Sequence, residues 1–106
     1  MWLVAAYACR VRPEKQAEFL SSIRDLLDRT RWMSGCQDCR LLADVHDPGA
    51  FTVTSEWTGH ESFERFLDSP EYGVLRGMTI LMAADVRFSV DDVVTRAAVS
   101  THGDRG

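Results

Sequence analysis

From Trp2 to Val11 the chain is apolar almost without a break, and its β-branched and aromatic side chains mark a strand that Arg12-Pro13 closes. Proline at position 13 suits the first turn of a helix, where a missing N–H leaves no bond unmade. Phe19, Ile23, Leu26 and Leu27 then recur at helical spacing as one apolar stripe, with Glu14, Lys15, Glu18, Arg24, Asp25 and Asp28 between them. The early carboxylates Glu14 and Glu18 complement the free N–H groups of a first turn. The pattern predicts an amphipathic helix ending near Arg31, with Ser34-Gly35 as its stop.

Cys36 to Val45 alternates, with Cys39, Leu41, Ala43 and Val45 opposed to Asp38, Arg40, Leu42 and Asp44. Phe51 to Trp57 alternates again, with Phe51, Val53, Ser55 and Trp57 opposed to Thr52, Thr54 and Glu56. Asp47-Pro48-Gly49 between them is a turn, so the two runs predict a β-hairpin. Thr58-Gly59-His60-Glu61 has the spacing of a capping box. It opens a helix with Phe63, Phe66 and Leu67 on one face, which Ser69-Pro70 stops before a further short helix bearing Leu75, Met78, Ile80, Leu81 and Met82. Asp85 to Val90 is a last strand, with Val86, Phe88 and Val90 on one side.

The order β-α-β-β-α-(α)-β predicts an α+β, ferredoxin-like βαββαβ fold: one antiparallel sheet with helices on one face. Residues 1–95 form the single domain, and residues 96–106 read as a flexible polar tail. Both alternating sets of the strands hold apolar members, among them Leu42, Trp2 and Val4. The uncovered sheet face is therefore expected to be buried against a second copy of the chain.

Composition narrows the classes. At 106 residues, 45% hydrophobic and 26% charged, the chain is one globular domain. A domain this short buries only about two-thirds of its unfolded surface, so a ligand pocket is more readily shared by two subunits. The net charge of −4, with scattered basic residues, lacks the positive footprint that nucleic acid requires. The apolar start has no basic n-region, and Tyr7 is bulky where a lipid-attachment motif needs a small residue. No run approaches the ~20 apolar residues of a membrane span. A cytoplasmic protein without membrane or nucleic-acid partners is expected.

The stretch from Gly35-Cys36 through Asp47-Pro48, Phe51, Glu56-Trp57, the Glu61–Leu67 helix and Ser69-Pro70 resembles the antibiotic biosynthesis monooxygenase (ABM) domain family. The resemblance covers about residues 2 to 92. It implies a homodimeric α/β barrel and a cofactor-free oxygenase that turns hydroxylated aromatic or quinol-type substrates into quinones with O₂. In that chemistry the substrate supplies the electrons, and the protein aids deprotonation and stabilises the anion in a dry cavity. Trp57 is similar to the tryptophan bordering the cavity of the quinone-forming branch, and Arg76 to its anion-side arginine. Val53 and Phe63 stand where that branch has asparagine and tyrosine. In the haem-degrading branch the first strand carries an asparagine, where Tyr7 stands here, and a histidine follows the second helix. The stretch from Pro70 to Met82 has no histidine. Phe66 takes the place of a helix histidine found in a third branch.

The candidate substrate-binding residues are thus Trp57, Phe63 and Phe66, and the candidate catalytic residues are Arg76, Tyr7 and Tyr72. Trp57 lines a cavity or belongs to the core. Tyr7 donates to a bound phenolate or anchors the sheet with its hydroxyl at the rim. Arg76 pairs with a substrate anion or with Glu71 or Asp68 on the surface. His60, at an exposed helix start, is a general base or a plain surface residue, and His46 is solvated. The histidines lack metal-ligand spacing, so no metal is expected. Three cysteines make no closed disulfide framework. Cys36 and Cys39 form a lone CxxC at a strand entry, where residues three apart face opposite ways and the sulfurs should diverge. Two other functions stay open: a non-catalytic module holding a small hydrophobic ligand, and a polyketide cyclase-like isomerase on the same fold.

Overall fold

The computed structural model describes residues 2–94, so the predicted tail and its boundary lie outside the described residues. The chain runs through β1 (Leu3–Val11), one 3₁₀ turn (Pro13–Lys15), α1 (Gln16–Arg31), β2 (Cys36–Ala43), β3 (Ala50–Trp57), α2 (His60–Leu67), α3 (Pro70–Met82) and β4 (Ala83–Asp92). The strands form one antiparallel sheet in the order β2-β3-β1-β4. This is the ferredoxin-like arrangement expected from the alternation of periods along the chain.

Strand alternation divides the sheet. Leu3, Ala5, Tyr7, Cys9 and Val11 of β1 and Phe51, Val53, Ser55 and Trp57 of β3 are buried under the helices. The α1 stripe of Phe19, Ile23 and Leu26 packs on them, joined by Thr30, whose hydroxyl bonds back to the Leu26 carbonyl at 2.8 Å. Val4, Ala6 and Ala8 of β1, with Thr52, Thr54 and Leu42 beside them, occupy the other face, which no described element covers. The apolar face expected there is corrected: only the β1 row and Leu42 are apolar, while Asp38 and Arg40 of β2, Thr52, Thr54 and Glu56 of β3, and Arg87, Ser89 and Asp91 of β4 share it, because the flanking strands turn their polar parity to this side.

The hairpin turn is held by Asp44, whose Oδ1 accepts from the backbone N–H groups of His46 (2.8 Å) and Asp47 (3.0 Å). Ser69-Pro70 separates the two helices as expected, and Ser69 also caps α3, its hydroxyl accepting from the Tyr72 N–H at 3.3 Å.

Two local expectations are corrected. The capping box is not formed: Gly59, extended, is the residue before α2, and Thr58 instead gives its N–H to the Gly35 carbonyl at 2.9 Å. Gly35, at φ +87°, leaves α2 so close that a Cβ there would lie 2.3 Å from Ser62 Cβ. The CxxC also behaves differently from a regular strand. A bulge between Cys36 and Asp38 pairs Cys36 with Trp57 and Cys39 with Ser55, both helix-side residues, so the two thiols share a face.

Candidate functional site

Where β1, β3, β4, α2 and α3 meet, aromatic side chains touch in a connected cluster. Trp57 and Phe66 stack with centroids 4.9 Å apart, and Phe63 lies 6.5 Å from Trp57 and 6.4 Å from Phe66. Tyr72 meets Phe66 edge-on at 5.3 Å and Tyr7 edge-on at 6.2 Å. Phe88 completes the group, 5.7 Å from Tyr7, 5.8 Å from Tyr72 and 6.3 Å from Phe63. These separations are those of favourable aromatic pairs.

Sequence and topology explain the meeting. Tyr7 and Phe88 are paired across β1 and β4, so both rings rise from the same sheet face. Phe63 and Phe66 are one turn apart on α2, and Tyr72 sits in the first turn of α3 behind the Ser69-Pro70 break. The six residues expected at the site therefore come together, with Arg76 reaching the cluster through Tyr72. Its guanidinium carbon lies 6.0 Å from the Tyr72 ring centre. Arg76 is exposed and makes no ion pair among the described residues, so neither Glu71 nor Asp68 holds it.

The depth of these groups differs from expectation. Trp57 is wholly buried, and its indole N–H donates to Ser55 Oγ at 2.9 Å. Phe63 and Phe66 are also buried, so all three form a packed inner wall rather than an open pocket lining. The space between the sheet and α1 is filled as well: the void there is about 10 Å³, barely room for one water.

Tyr7 is buried rather than at the rim, with its Oη 2.7 Å from Thr79 Oγ1. Thr79 spends its own proton on the helix carbonyls of Leu75 (3.2 Å) or Arg76 (3.0 Å), so the Tyr7 hydroxyl is the donor of the pair. Tyr7 thus anchors α3 on the sheet.

What stays open is the β4 side. Phe88 is 38% exposed, and Val86 and Val90 flank it on the same strand face. Together with half-buried Tyr72 and exposed Arg76 they make an apolar surface over the buried Phe63, with a phenol and a cation at its edge. Burial raises the pKa of Tyr72, the neighbouring Tyr7 adds to this, and Arg76 opposes it. The phenol is therefore a proton donor at neutral pH. Past Val90 on the same strand, His60 of α2 and Asp92 of β4 approach to 3.6 Å (Nε2 to Oδ1), both side chains being exposed.

Sequence reasoning passed over Phe88 and Asp92 as site residues. The signal was present in the parity of Val86, Phe88 and Val90, but which face of β4 carries helices depends on pairing with β1.

A larger concavity of about 460 Å³ lies on the uncovered sheet face, near Ala8, Arg10, Leu42, Thr52, Asp85 and Arg87. Its arginines and carboxylates offset one another, and it offers little aromatic surface for stacking. Among the described residues no group of histidine, cysteine or acidic side chains has the arrangement of a metal site, and no helix is long and apolar enough to cross a membrane.

The fold is shared with several solved proteins. A conserved protein of Methanosarcina mazei Go1 superposes with a TM-score of 0.80 at 18% identity, over 86% of this chain and 91% of its own. A candidate antibiotic biosynthesis monooxygenase from Deinococcus radiodurans gives 0.83 at 16% identity, over 92% and 98%. An antibiotic biosynthesis monooxygenase gives 0.78 at 24% identity, over 90% and 100%. No curated protein matches the sequence. The sequence model of the antibiotic biosynthesis monooxygenases matches residues 3–76, which holds β1 through most of α3 and so spans the cluster except for β4. The chain belongs to the antibiotic biosynthesis monooxygenase family.

Proposed function

We propose that the protein is a cofactor-independent monooxygenase acting on a hydroxylated aromatic or quinol-type small molecule, bound in the β4-side cleft of a homodimer. The supporting observation is the aromatic cluster that is open at Phe88 and edged by Tyr72 and Arg76. A flat polycyclic substrate stacks on Phe88 and Tyr72. The Tyr72 hydroxyl donates to its oxygen, and Arg76 stabilises the anion left on deprotonation. The electron-rich anion reduces O₂. One oxygen atom enters the ring carbon, the other leaves as water, and the substrate becomes a quinone.

Exposed Val86, Phe88 and Val90, with Ile80 on α3, form an apolar border that a second copy would cover, drying the cleft. The pocket-forming role expected of Trp57, Phe63 and Phe66 becomes the fixing of Tyr72 and Phe88. Tyr7 acts through Thr79 as a positioning residue.

Oxygen consumption with a panel of hydroquinones and anthrones tests the reading. The expected result is one O₂ per quinone formed, with Arg76→Ala lowering kcat/KM by about tenfold or more. Ligand binding without oxygen uptake would replace the enzyme by a carrier, a reading that the wholly apolar inner wall of Phe63 and Phe66 supports.

A further inference from the structure

The oxygenase reading lacks one part. Neither Tyr72 nor Arg76 accepts a proton at neutral pH, since burial raises the Tyr72 pKa and a guanidinium stays charged. The Tyr7 proton is committed to Thr79. Glu71 is half-buried at the small void beside Leu26 and Leu75, on the α1 side of Phe66 and away from Phe88. The cluster has donors and a cation but no base.

We infer that the His60–Asp92 pair is the general base of the cleft, taking a proton from a weakly acidic phenol or activated C–H of the bound aromatic. This rests on the cleft being the substrate site. Three observations place the pair there. His60 precedes Phe63 by three residues on α2, and Phe63 touches Phe88 at 6.3 Å. Asp92 has the parity of Phe88 and Val90 on β4, the three pairing with the helix-side residues Leu3, Tyr7 and Ala5 of β1. His60 and Asp92, both exposed in the single chain, then approach to 3.6 Å just past Val90.

Phe88 and Asp92 are separated by about 13 Å along the strand, with exposed Val90 as the floor between them. A polycyclic ligand lying on Val90 thus has Arg76 and Tyr72 at one end and His60 at the other. Of the charged neighbours, Glu61 is turned to Arg65 at 3.9 Å, and Asp91 points to the opposite sheet face by its pairing with Val4.

In the step itself the substrate C–H or O–H bond breaks and its electron pair stays on the substrate as an enolate or phenolate. The proton forms a new N–H bond at Nδ1 of His60. Asp92, facing Nε2, stabilises the imidazolium produced. Nothing is oxidised or reduced until O₂ enters.

Deuterium exchange isolates this step from oxygenation. Anthrone is incubated anaerobically in D₂O with the full chain, and loss of its C10 proton signal is followed by NMR. The wild type should exchange well above the buffer rate, and His60→Gln should lose about 100-fold of that acceleration. Asp92→Asn should fall between them, added imidazole should restore His60→Gln in part, and His46→Gln should match the wild type. Exchange by His60→Gln as fast as wild type, or a wild type no faster than buffer, overturns the assignment. Oxygen uptake by the same samples is read separately. Exchange without uptake leaves the base in place and removes the oxygenase reading, whereas uptake without His60-dependent exchange does the reverse.

Discussion

The proton of the Tyr7 hydroxyl points into α3, because Thr79 already gives its own to a helix carbonyl. Tyr7→Phe should therefore cost about 1 kcal/mol of stability, read from the urea midpoint, while kcat changes less than in Arg76→Ala. Phe88 is different, being a partly exposed ring with three aromatic neighbours. Phe88→Ala should weaken binding of a flat aromatic such as anthraquinone by about 1 kcal/mol, roughly fivefold, in a tryptophan-fluorescence titration. The cysteines predict a pH effect. Burial, then the nearby Cys36 and Asp38, push the Cys39 thiol up from 9.0 to about 12. A folded-state pKa raised above the unfolded value stabilises the fold fully below pH 9, and that stabilisation is lost as pH climbs towards 12. Thermal melts should thus fall steeply above pH 9, and less steeply in Cys39→Ala. Sequence alone named Trp57, Phe63, Phe66, Tyr7, Tyr72 and Arg76, and the fold brings them together. It could not give their depth, because exposure depends on which neighbours arrive. His60 and Asp92 lie on α2 and β4, and nothing local in either segment announces their pairing.

At the scale of elements, the parts readable from the sequence were those with a strong local period. The α1 stripe at Phe19, Ile23 and Leu26, the 47–49 turn and the Ser69-Pro70 break before α3 are each fixed by residues within one or two turns of chain. The failures were non-local. Thr58 and Glu61 have capping-box spacing, but the chain before α2 is bound to Gly35, which draws the Thr58 N–H away from the helix. The bulge that turns Cys36 and Cys39 to one face exists only as a register against Trp57, Glu56 and Ser55. Gly35 is where these constraints converge, with φ +87° and Ser62 Cβ 2.3 Å from the place of a Cβ. Gly35→Ala should destabilise the fold by about 2 kcal/mol or more through backbone strain and displacement of α2. A comparison of denaturant midpoints checks this against Gly73→Ala, whose Cβ meets open space inside α3 and which should stabilise by up to about 1 kcal/mol.

For the whole molecule, the sheet has two unlike faces. One carries the helices and the aromatic cluster, and the other is a row of Val4, Ala6 and Ala8 flanked by Thr52, Thr54, Glu56, Arg40, Arg87 and Asp91, beside a trough of about 460 Å³. The cleft border at Val86, Phe88 and Val90 is exposed in a single chain. A self-association burying about 800 Å² per subunit would cover it. Sedimentation equilibrium at micromolar concentration should give the mass of two chains, and Phe88→Ala should favour dissociation if the border belongs to the contact. The most direct measurement is an amide-resolved NMR titration of the full chain with anthraquinone. Shifts centred on Tyr72, Arg76, Phe88 and Val90 are the expected result. Shifts centred on Ala8, Leu42 and Thr52, with the aromatic cluster silent, would contradict the assignment of the cleft as the site.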